Sequence, residues 1–143
     1  MSRILSIDYG RARIGVAHSD ERKWIASPLC VIKAQKKPLA TANDLLSKIG
    51  HLLPLEKIIV GLPLLLNGQE GEMAKEAKAF AEKLKEVCQV PIVFWDERLT
   101  SMQAERLLKE DNKNRKQRAQ CVDTLSAVLI LQNYLDAQAL VCR

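Results

Sequence analysis

The chain opens with three short apolar segments separated by polar turns, a pattern typical of antiparallel strands joined by hairpins. The apolar segments span residues 4–7, 14–17 and 24–32, and the turns between them span 9–12 and 19–23. Gly10 lies in the first turn, and Gly15 lies inside the second segment, where glycine often marks a close backbone approach. The beginning of the chain therefore predicts three antiparallel strands.

From residue 38 onward, helical and strand patterns alternate. Apolar residues recur every three or four positions over 38–53 and over 69–88, which predicts two amphipathic helices. The unbroken run Ile58-Ile59-Val60 predicts a central strand covered on both faces, and residues 91–95 predict another strand. Strands joined through helices are usually parallel neighbours. We therefore expect an α/β fold, with a mixed five-stranded sheet of three antiparallel and then two parallel strands and with helices on both faces.

The last third of the chain predicts two further helices around a polar segment. Thr100 or Ser101 can cap a helix that runs through Leu108, and residues 119–137 predict a largely buried final helix. Residues 109–118 are polar and basic and predict a loop. The chain has 143 residues and shows no repeat, low-complexity segment or linker. We therefore expect one domain over residues 1–143.

Composition and charge exclude several classes of protein. Twenty-two Lys and Arg residues against 17 Asp and Glu residues give a net charge of +5, which permits a nucleic-acid partner without requiring one. No apolar run approaches the ~20 residues that a membrane helix needs, and the first residues show no signal-peptide pattern. The spacing of the four cysteines matches no zinc or disulfide framework. We expect a cytoplasmic protein with reduced thiols and no membrane partner.

Carboxylates at the ends of predicted elements are the candidate catalytic groups. Asp8 ends the first strand, Asp96 and Glu97 follow the fifth, and Asp123 lies near the start of the last helix. Side chains alternate along a strand, so only one of Asp96 and Glu97 can face the same side as Asp8. Three gathered carboxylates suit Mg²⁺ or Mn²⁺, and two such ions can promote phosphodiester hydrolysis.

Each acid also has a purely structural interpretation. Asp8 can start a turn, the pair Asp96 and Glu97 can enter a solvated loop, and Asp123 can interact with the helix dipole. Other chemistry has less support, because the chain has no phosphate-binding P-loop, no dinucleotide-binding glycine motif and no signature of a Ser/His/Asp triad. His18 and His51 stand isolated in the sequence.

Five motifs follow one another along the chain: Asp8-Tyr9-Gly10, Arg13-Ile14-Gly15-Val16-Ala17, Val60-Gly61-Leu62-Pro63, Asp96-Glu97-Arg98-Leu99-Thr100-Ser101 and Val122-Asp123 onward to Leu135. In this order they resemble the YqgF (RuvX) family, described as Holliday-junction-resolvase-like nucleases implicated in maturing the 5′ end of the precursor of 16S ribosomal RNA. The resemblance implies a ribonuclease H-like fold and a metal-dependent nuclease. Asp8, Glu97 and Asp123 would be both the catalytic residues and the ligands of Mg²⁺ or Mn²⁺.

The same resemblance implies contacts with nucleic acid. Arg11, Arg13 and Arg98 would be phosphate-binding or salt-bridge residues, and the basic segment with Lys113, Arg115 and Lys116 would add salt-sensitive phosphate contacts. One departure concerns the loop after Pro63, where the family commonly reads Leu-Asn-Met-Asp-Gly. Residues 64–68 here read Leu-Leu-Leu-Asn-Gly, which removes a polar contact at the rim of the site but none of the three acids.

Four hypotheses about function follow from these patterns. The first is an endonuclease acting on structured RNA, with the precursor of 16S ribosomal RNA or the pre-ribosome as partner. The second is a Holliday junction resolvase acting on DNA, which would require a dimer with two sites. The third is a non-catalytic RNA-binding module in ribosome assembly. The fourth is one lobe of a sugar-kinase or actin-like ATPase. The sequence leaves monomer and dimer equally open.

Overall fold

The computed structural model describes residues 2–63, 65, 67–96 and 115–141, and for residues 115–123, 140 and 141 it describes the backbone alone. The strands are β1 (Arg3–Asp8), β2 (Arg13–Ser19), β3 (Ala26–Lys33), β4 (Leu55–Leu62) and β5 (Ile92–Asp96). The helices are α1 (Pro38–Ile49), extended by a 3₁₀ turn (Gly50–Leu52), then α2 (Glu72–Cys88) and α3 (Arg115–Val141).

The five strands form one mixed sheet in the order β3-β2-β1-β4-β5. Strand β1 pairs antiparallel with β2, which pairs antiparallel with β3. On its other side β1 pairs parallel with β4, and β4 pairs parallel with β5. The predicted sheet of three antiparallel and two parallel strands is therefore confirmed.

Helices cover both faces of this sheet, as predicted. One core lies between the sheet and helices α1 and α2, and a second lies between the sheet and α3. Strand β1 contributes alternately to the two cores, Leu5 and Ile7 to the first and Ile4 to the second, as the pleat requires. Ile58, Ile59 and Val60 are fully buried, which confirms β4 as a central strand covered on both faces.

Helix α3 crosses the sheet in the direction opposite to β1. Near the middle of β1, the Ser6 hydroxyl donates a 2.7 Å hydrogen bond to the carbonyl oxygen of Ala127. At the start of β1, Lys57 pairs with Ile4 across the β1–β4 ladder, and the Lys57 ammonium donates a 2.9 Å hydrogen bond to the Tyr134 hydroxyl. The N-terminal part of α3 therefore points toward the end of β1 that carries Asp8.

The third strand begins later than its apolar run predicts. Trp24 and Ile25 are 67% and 61% exposed and lie in the β2–β3 turn, whereas β3 starts at Ala26. The Asp20 carboxylate accepts hydrogen bonds from the backbone N–H groups of Trp24 and Ile25, at 2.8 and 3.0 Å. An Asp side chain that caps its own turn competes with strand pairing, so the prediction of a strand from residue 24 was wrong at its start.

Several helix boundaries also differ from prediction. Helix α1 ends at Ile49, and the 3₁₀ turn after it stops at Leu52, because Pro54 disfavours helical backbone at Leu53. Helix α2 starts at Glu72 rather than at residue 69. The predicted loop 109–118 was wrong for its last four residues, since α3 already includes residues 115–118. Residues 115–118, which are Arg, Lys, Gln and Arg, all have good helix propensity. The loop was predicted from the high charge of the segment. The predicted helix from Thr100 or Ser101 to Leu108 lies outside the described residues.

The cysteines whose side chains the structure describes are free thiols. Cys30 and Cys88 are both partly buried, and burial raises the pKa of each. Within the described ranges, no helix is long and apolar enough to cross a membrane.

Candidate active site

Asp8 ends β1 at the edge of the sheet toward which the N-terminal part of α3 points. It is half-buried, and its neighbours in the sheet are Gly15 on β2 and Gly61 on β4. Paired residues on adjacent strands share a face, and Gly61 pairs in turn with Trp95. Trp95 packs on the Tyr134 ring of α3 with centroids 5.4 Å apart. The whole row, with Asp8 in it, therefore lies on the α3 face.

Asp8 pairs with a glycine on each side, so neither directly paired residue places a side chain beside the Asp8 carboxylate. Most other positions beside β1 on this face carry side chains, such as Ala17 beside Ser6. Gly15 and Gly61 are both visible in the sequence. That both of them pair with Asp8 depends on the strand register, which the sequence alone did not provide.

The strand register separates the two candidates for the second acid. Asp96 follows Trp95 directly and pairs with Leu62, so it lies on the face of α1 and α2, opposite to Asp8. Asp96 is also exposed. Glu97, the second acid that the family resemblance implies, lies outside the described residues.

Asp123 lies in α3, one helical turn before Ala127. Ala127 is level with Ser6, and Asp8 lies two residues beyond Ser6 in the direction of the N-terminal part of α3. Four helical residues rise ~6 Å and two strand residues rise ~7 Å, so the backbone of residue 123 lies level with the Asp8 row. Positions four apart share a helix face, which places position 123 on the same face of α3 as buried Ala127.

The loop from Tyr9 to Ala12 follows Asp8 and turns tightly. A Cβ on Gly10 would lie 2.5 Å from the carbonyl oxygen of Arg13, so the turn requires glycine. The Tyr9 ring packs on Phe80 of α2 with centroids 5.5 Å apart. Burial, and then the nearby Glu76 carboxylate, raise the pKa of Tyr9. The tight turn fixes the backbone immediately after the candidate catalytic carboxylate.

The predicted basic residues lie in different surroundings. Arg13 is exposed at the start of β2, two residues before Gly15, and therefore lies on the same face as Asp8. Arg11 forms salt bridges with α2, which matches the salt-bridge half of its expected role. Arg98 and Lys113 lie outside the described residues, as do the side chains of Arg115 and Lys116, which belong to the first turn of α3.

The loop after Pro63 forms a closed turn. Gly68 has φ of 86° and donates a backbone hydrogen bond of 2.8 Å to Leu65, which is half exposed. The Asn67 side-chain oxygen accepts a 2.9 Å hydrogen bond from the backbone N–H of Gln69. Asn67 thus stabilises its own turn.

Among the residues described with side chains, no three His, Cys, Asp or Glu residues cluster as a metal site would require.

Solved structures with the same architecture identify the class of fold. RuvC of Thermus thermophilus, solved with a Holliday junction substrate, aligns with a TM-score of 0.55 at 15% identity over 97% of this chain and 96% of its own. The yeast mitochondrial Holliday junction resolvase Ydc2 aligns with a TM-score of 0.56 at 14% identity over 96% of this chain and 79% of its own. The protein therefore has the ribonuclease H-like fold of the RuvC resolvases.

Sequence comparison identifies the family within that class. The model of the RuvX family, described as a Holliday junction resolvase, matches residues 2–137, and the chain belongs to this family. A relative from Protochlamydia amoebophila named "Putative pre-16S rRNA nuclease" is 48% identical over 96% of this chain and 95% of its own length. A relative of the same name from Bacillus thuringiensis is 42% identical over 95% of this chain and 99% of its own.

Proposed function

We propose that this protein is a divalent-metal-dependent endonuclease that hydrolyses phosphodiester bonds in structured RNA, with the 5′ end of the 16S ribosomal RNA precursor as its substrate. The relatives at 48% and 42% identity carry a name that refers to this RNA. The observation that carries the catalytic part is the position of Asp8, which lies between Gly15 and Gly61 on the α3 face. We also propose that the protein acts in the cytoplasm and that its partner is nucleic acid.

Asp8, Glu97 and Asp123 form the proposed catalytic and metal-binding set. All three supply carboxylate oxygens, the ligands that Mg²⁺ and Mn²⁺ prefer. Position 123 is level with Asp8 on the adjacent helix. The strand register argues against Asp96, because Asp96 lies on the face of the sheet opposite to Asp8, and so supports the choice of Glu97 that the family resemblance implies.

The proposed chemistry is direct attack of water on phosphorus without a covalent intermediate. A bound divalent cation supplies Lewis acidity, which favours ionisation of the attacking water and offsets the charge that builds up on the phosphate. Asp8 supplies oxygens from the end of a strand whose position the sheet fixes on both sides. Arg13, on the same face, orients the phosphate that enters beside Asp8.

The test is cleavage of a labelled 16S precursor fragment in Mg²⁺ or Mn²⁺. Asp8→Asn and Asp123→Asn are expected to abolish cleavage and to weaken Mn²⁺ binding measured by calorimetry. Asp136→Asn is the matched control, since Asp136 is exposed and lies in α3 more than three turns from position 123. Cleavage by both site variants at the wild-type rate would exclude the assigned site.

A second pair of variants tests the choice of the second acid. We expect Glu97→Gln to abolish cleavage and Asp96→Asn to retain most of it, because Asp96 lies on the opposite face of the sheet from Asp8. The reverse result would assign the second carboxylate to Asp96 and would contradict the choice of Glu97.

The description of the family model favours a second candidate, cleavage of four-way DNA junctions. RNA and DNA present the same phosphate chemistry, and resolution of a junction needs two sites in a dimer. Cleavage of a four-way DNA junction and of the precursor fragment, measured side by side with the oligomeric state, separates the two substrates. Binding of RNA without cleavage in either metal would support a non-catalytic role in ribosome assembly.

A further inference from the structure

The loop between β1 and β2 is attached to α2 by one cation and two carboxylates. Arg11 Nε lies 3.2 Å from Glu76 Oε2, and Arg11 Nη2 lies 3.5 Å from Glu72 Oε2. Glu72 and Glu76 are one helical turn apart and so share a face of α2. One turn further along, Phe80 packs on Tyr9. The guanidinium is thus held over the first turns of α2, close in sequence to the candidate catalytic carboxylate.

This attachment positions Arg11 but binds it weakly. The side chains of Arg11, Glu72 and Glu76 are 58%, 88% and 41% exposed, and the two carboxylates contact different nitrogens of the guanidinium. Exposed ion pairs of this kind contribute little to stability, because water and salt screen them. The three groups together carry a net charge of −1, so the two carboxylates offset the attraction of Arg11 for a phosphate.

The loop also crosses the edge of the sheet between its two faces. Asp8 and Arg13, on either side of the loop, lie on the α3 face, whereas Arg11 contacts α2 on the opposite face. A nucleic-acid strand that has its scissile phosphate at Asp8 and crosses this edge of the sheet would bring a neighbouring phosphate to the α2 side. Arg11 is the described cation on the α2 side that immediately follows the catalytic strand.

We propose that Arg11 is a subsite for a backbone phosphate on the α2 side, and that Glu72 and Glu76 hold it in place while competing with that phosphate. The inference rests on the proposed function, since it assumes a nucleic-acid substrate at Asp8. A guanidinium matches the geometry of a phosphate, and a side chain that is already positioned loses less conformational entropy on binding. The nucleic acid must displace two carboxylates, which lowers its affinity and favours release of the product.

The test measures binding of the full-length protein to a labelled 16S precursor fragment in EDTA, without cleavage, at several salt concentrations. Arg11→Gln should weaken binding roughly threefold or more at low salt and reduce the log–log salt slope by about one. The double variant Glu72→Gln/Glu76→Gln should tighten binding. Glu82→Gln/Glu86→Gln is its control, because it removes the same charge at the same spacing from exposed positions of α2 without a described contact to Arg11.

Combining the variants separates a specific effect from a general change of charge. If the carboxylates compete through Arg11, adding Arg11→Gln to Glu72→Gln/Glu76→Gln should remove most of the gain in affinity. Equal affinities of Glu72→Gln/Glu76→Gln and Glu82→Gln/Glu86→Gln would overturn the subsite while leaving the proposed function intact. If the wild type and all variants fail to bind RNA in EDTA, the subsite is excluded, whereas the cleavage assay in Mg²⁺ or Mn²⁺ decides the proposed function separately.

Discussion

Ser6 and Ala127 are 121 positions apart in the chain, yet the Ser6 hydroxyl donates a buried 2.7 Å hydrogen bond to the Ala127 carbonyl oxygen. Neither residue is exposed to solvent. The bond sets how far along β1 the last helix lies, and with it the level of position 123 relative to Asp8. Together with the Lys57–Tyr134 hydrogen bond and the apolar packing under α3, this bond contributes to the geometry on which the proposed site depends.

Removing this bond should cost stability. We expect Ser6→Ala to lower the free energy of unfolding by about 1 kcal/mol, the usual net contribution of a buried hydrogen bond. Ser47→Ala is the matched control, since the Ser47 hydroxyl also donates to a helix carbonyl, that of Asp44, but at an exposed position. The control should change stability by less than about 0.5 kcal/mol in urea denaturation. Equal losses in the two variants would contradict the special role of Ser6.

A neighbouring hydroxyl should have the opposite effect. Ser126 is fully buried, and its hydroxyl oxygen has no hydrogen-bond partner in the part of the chain that the structure describes. A buried hydroxyl without a partner is destabilising, and alanine is also the better helix former. Ser126→Ala should therefore raise the free energy of unfolding by about 1 kcal/mol. A loss of stability in the same urea titration would show that this hydroxyl is satisfied after all.

The two glycines Gly10 and Gly50 should respond in opposite directions to alanine. At Gly10 the added methyl group would lie 2.5 Å from a backbone oxygen, whereas at Gly50 it would meet nothing within 4 Å. Gly10→Ala should cost about 1–3 kcal/mol through overpacking. Gly50 has helical backbone angles, so Gly50→Ala should gain about 0.4–1 kcal/mol. Thermal unfolding of both variants checks the signs, and destabilisation of both would contradict the open space at Gly50.

His18 should make stability depend on pH. Arg3 donates a 3.2 Å hydrogen bond to His18 Nδ1, so the folded protein favours the neutral ring. Burial, and then the charges of Arg3 and His51, lower the pKa of His18 below its ordinary value of 6.5. Just below pH 6.5, His18 binds a proton in the unfolded chain but stays neutral in the folded protein. The contribution of His18 is therefore complete above pH 6.5 and is lost as the pH falls through the lowered pKa.

Urea denaturation between about pH 5.5 and 7.5 measures this dependence. Wild-type stability should fall toward the acidic end, and His18→Gln should reduce the slope, since glutamine does not titrate. The carboxylates contribute little in this range, because their pKa values are ordinarily lower. Identical slopes for the two proteins would exclude His18 as the cause.

Local patterns predicted most of the architecture. The alternating and helical periodicities of β1, β4, α1 and α2 depend on neighbours in sequence, and the apolar run at Ile58–Val60 identified the central strand. The β2–β3 turn could not be predicted in the same way. Gln132 of α3 donates to the Trp24 carbonyl and accepts from the Ala26 N–H, each at 2.9 Å, and a contact across more than 100 residues leaves no local trace.

The candidate site was predicted as a set of residue types rather than as a geometry. The sequence indicated Asp8 but did not decide whether Asp96 or Glu97 is the second acid. Alternation places these two side chains on opposite faces of the sheet but does not show which of them shares the face of Asp8. The register of β1, β4 and β5 supplies that relation for Asp96. The association of Arg11 with Glu72 and Glu76 was also beyond prediction, since it joins a turn and a helix more than 60 residues apart.

The long separation between β1 and α3 has a consequence for synthesis of the protein. Strand β1 is synthesised early, whereas helix α3, which covers one face of the sheet, is synthesised after all five strands. Until α3 has been synthesised, it does not cover Ile4, Ala17 and Ile59, and the nascent chain exposes a hydrophobic surface that is prone to aggregation. The growing polypeptide therefore cannot assemble its proposed catalytic centre until α3 has been synthesised.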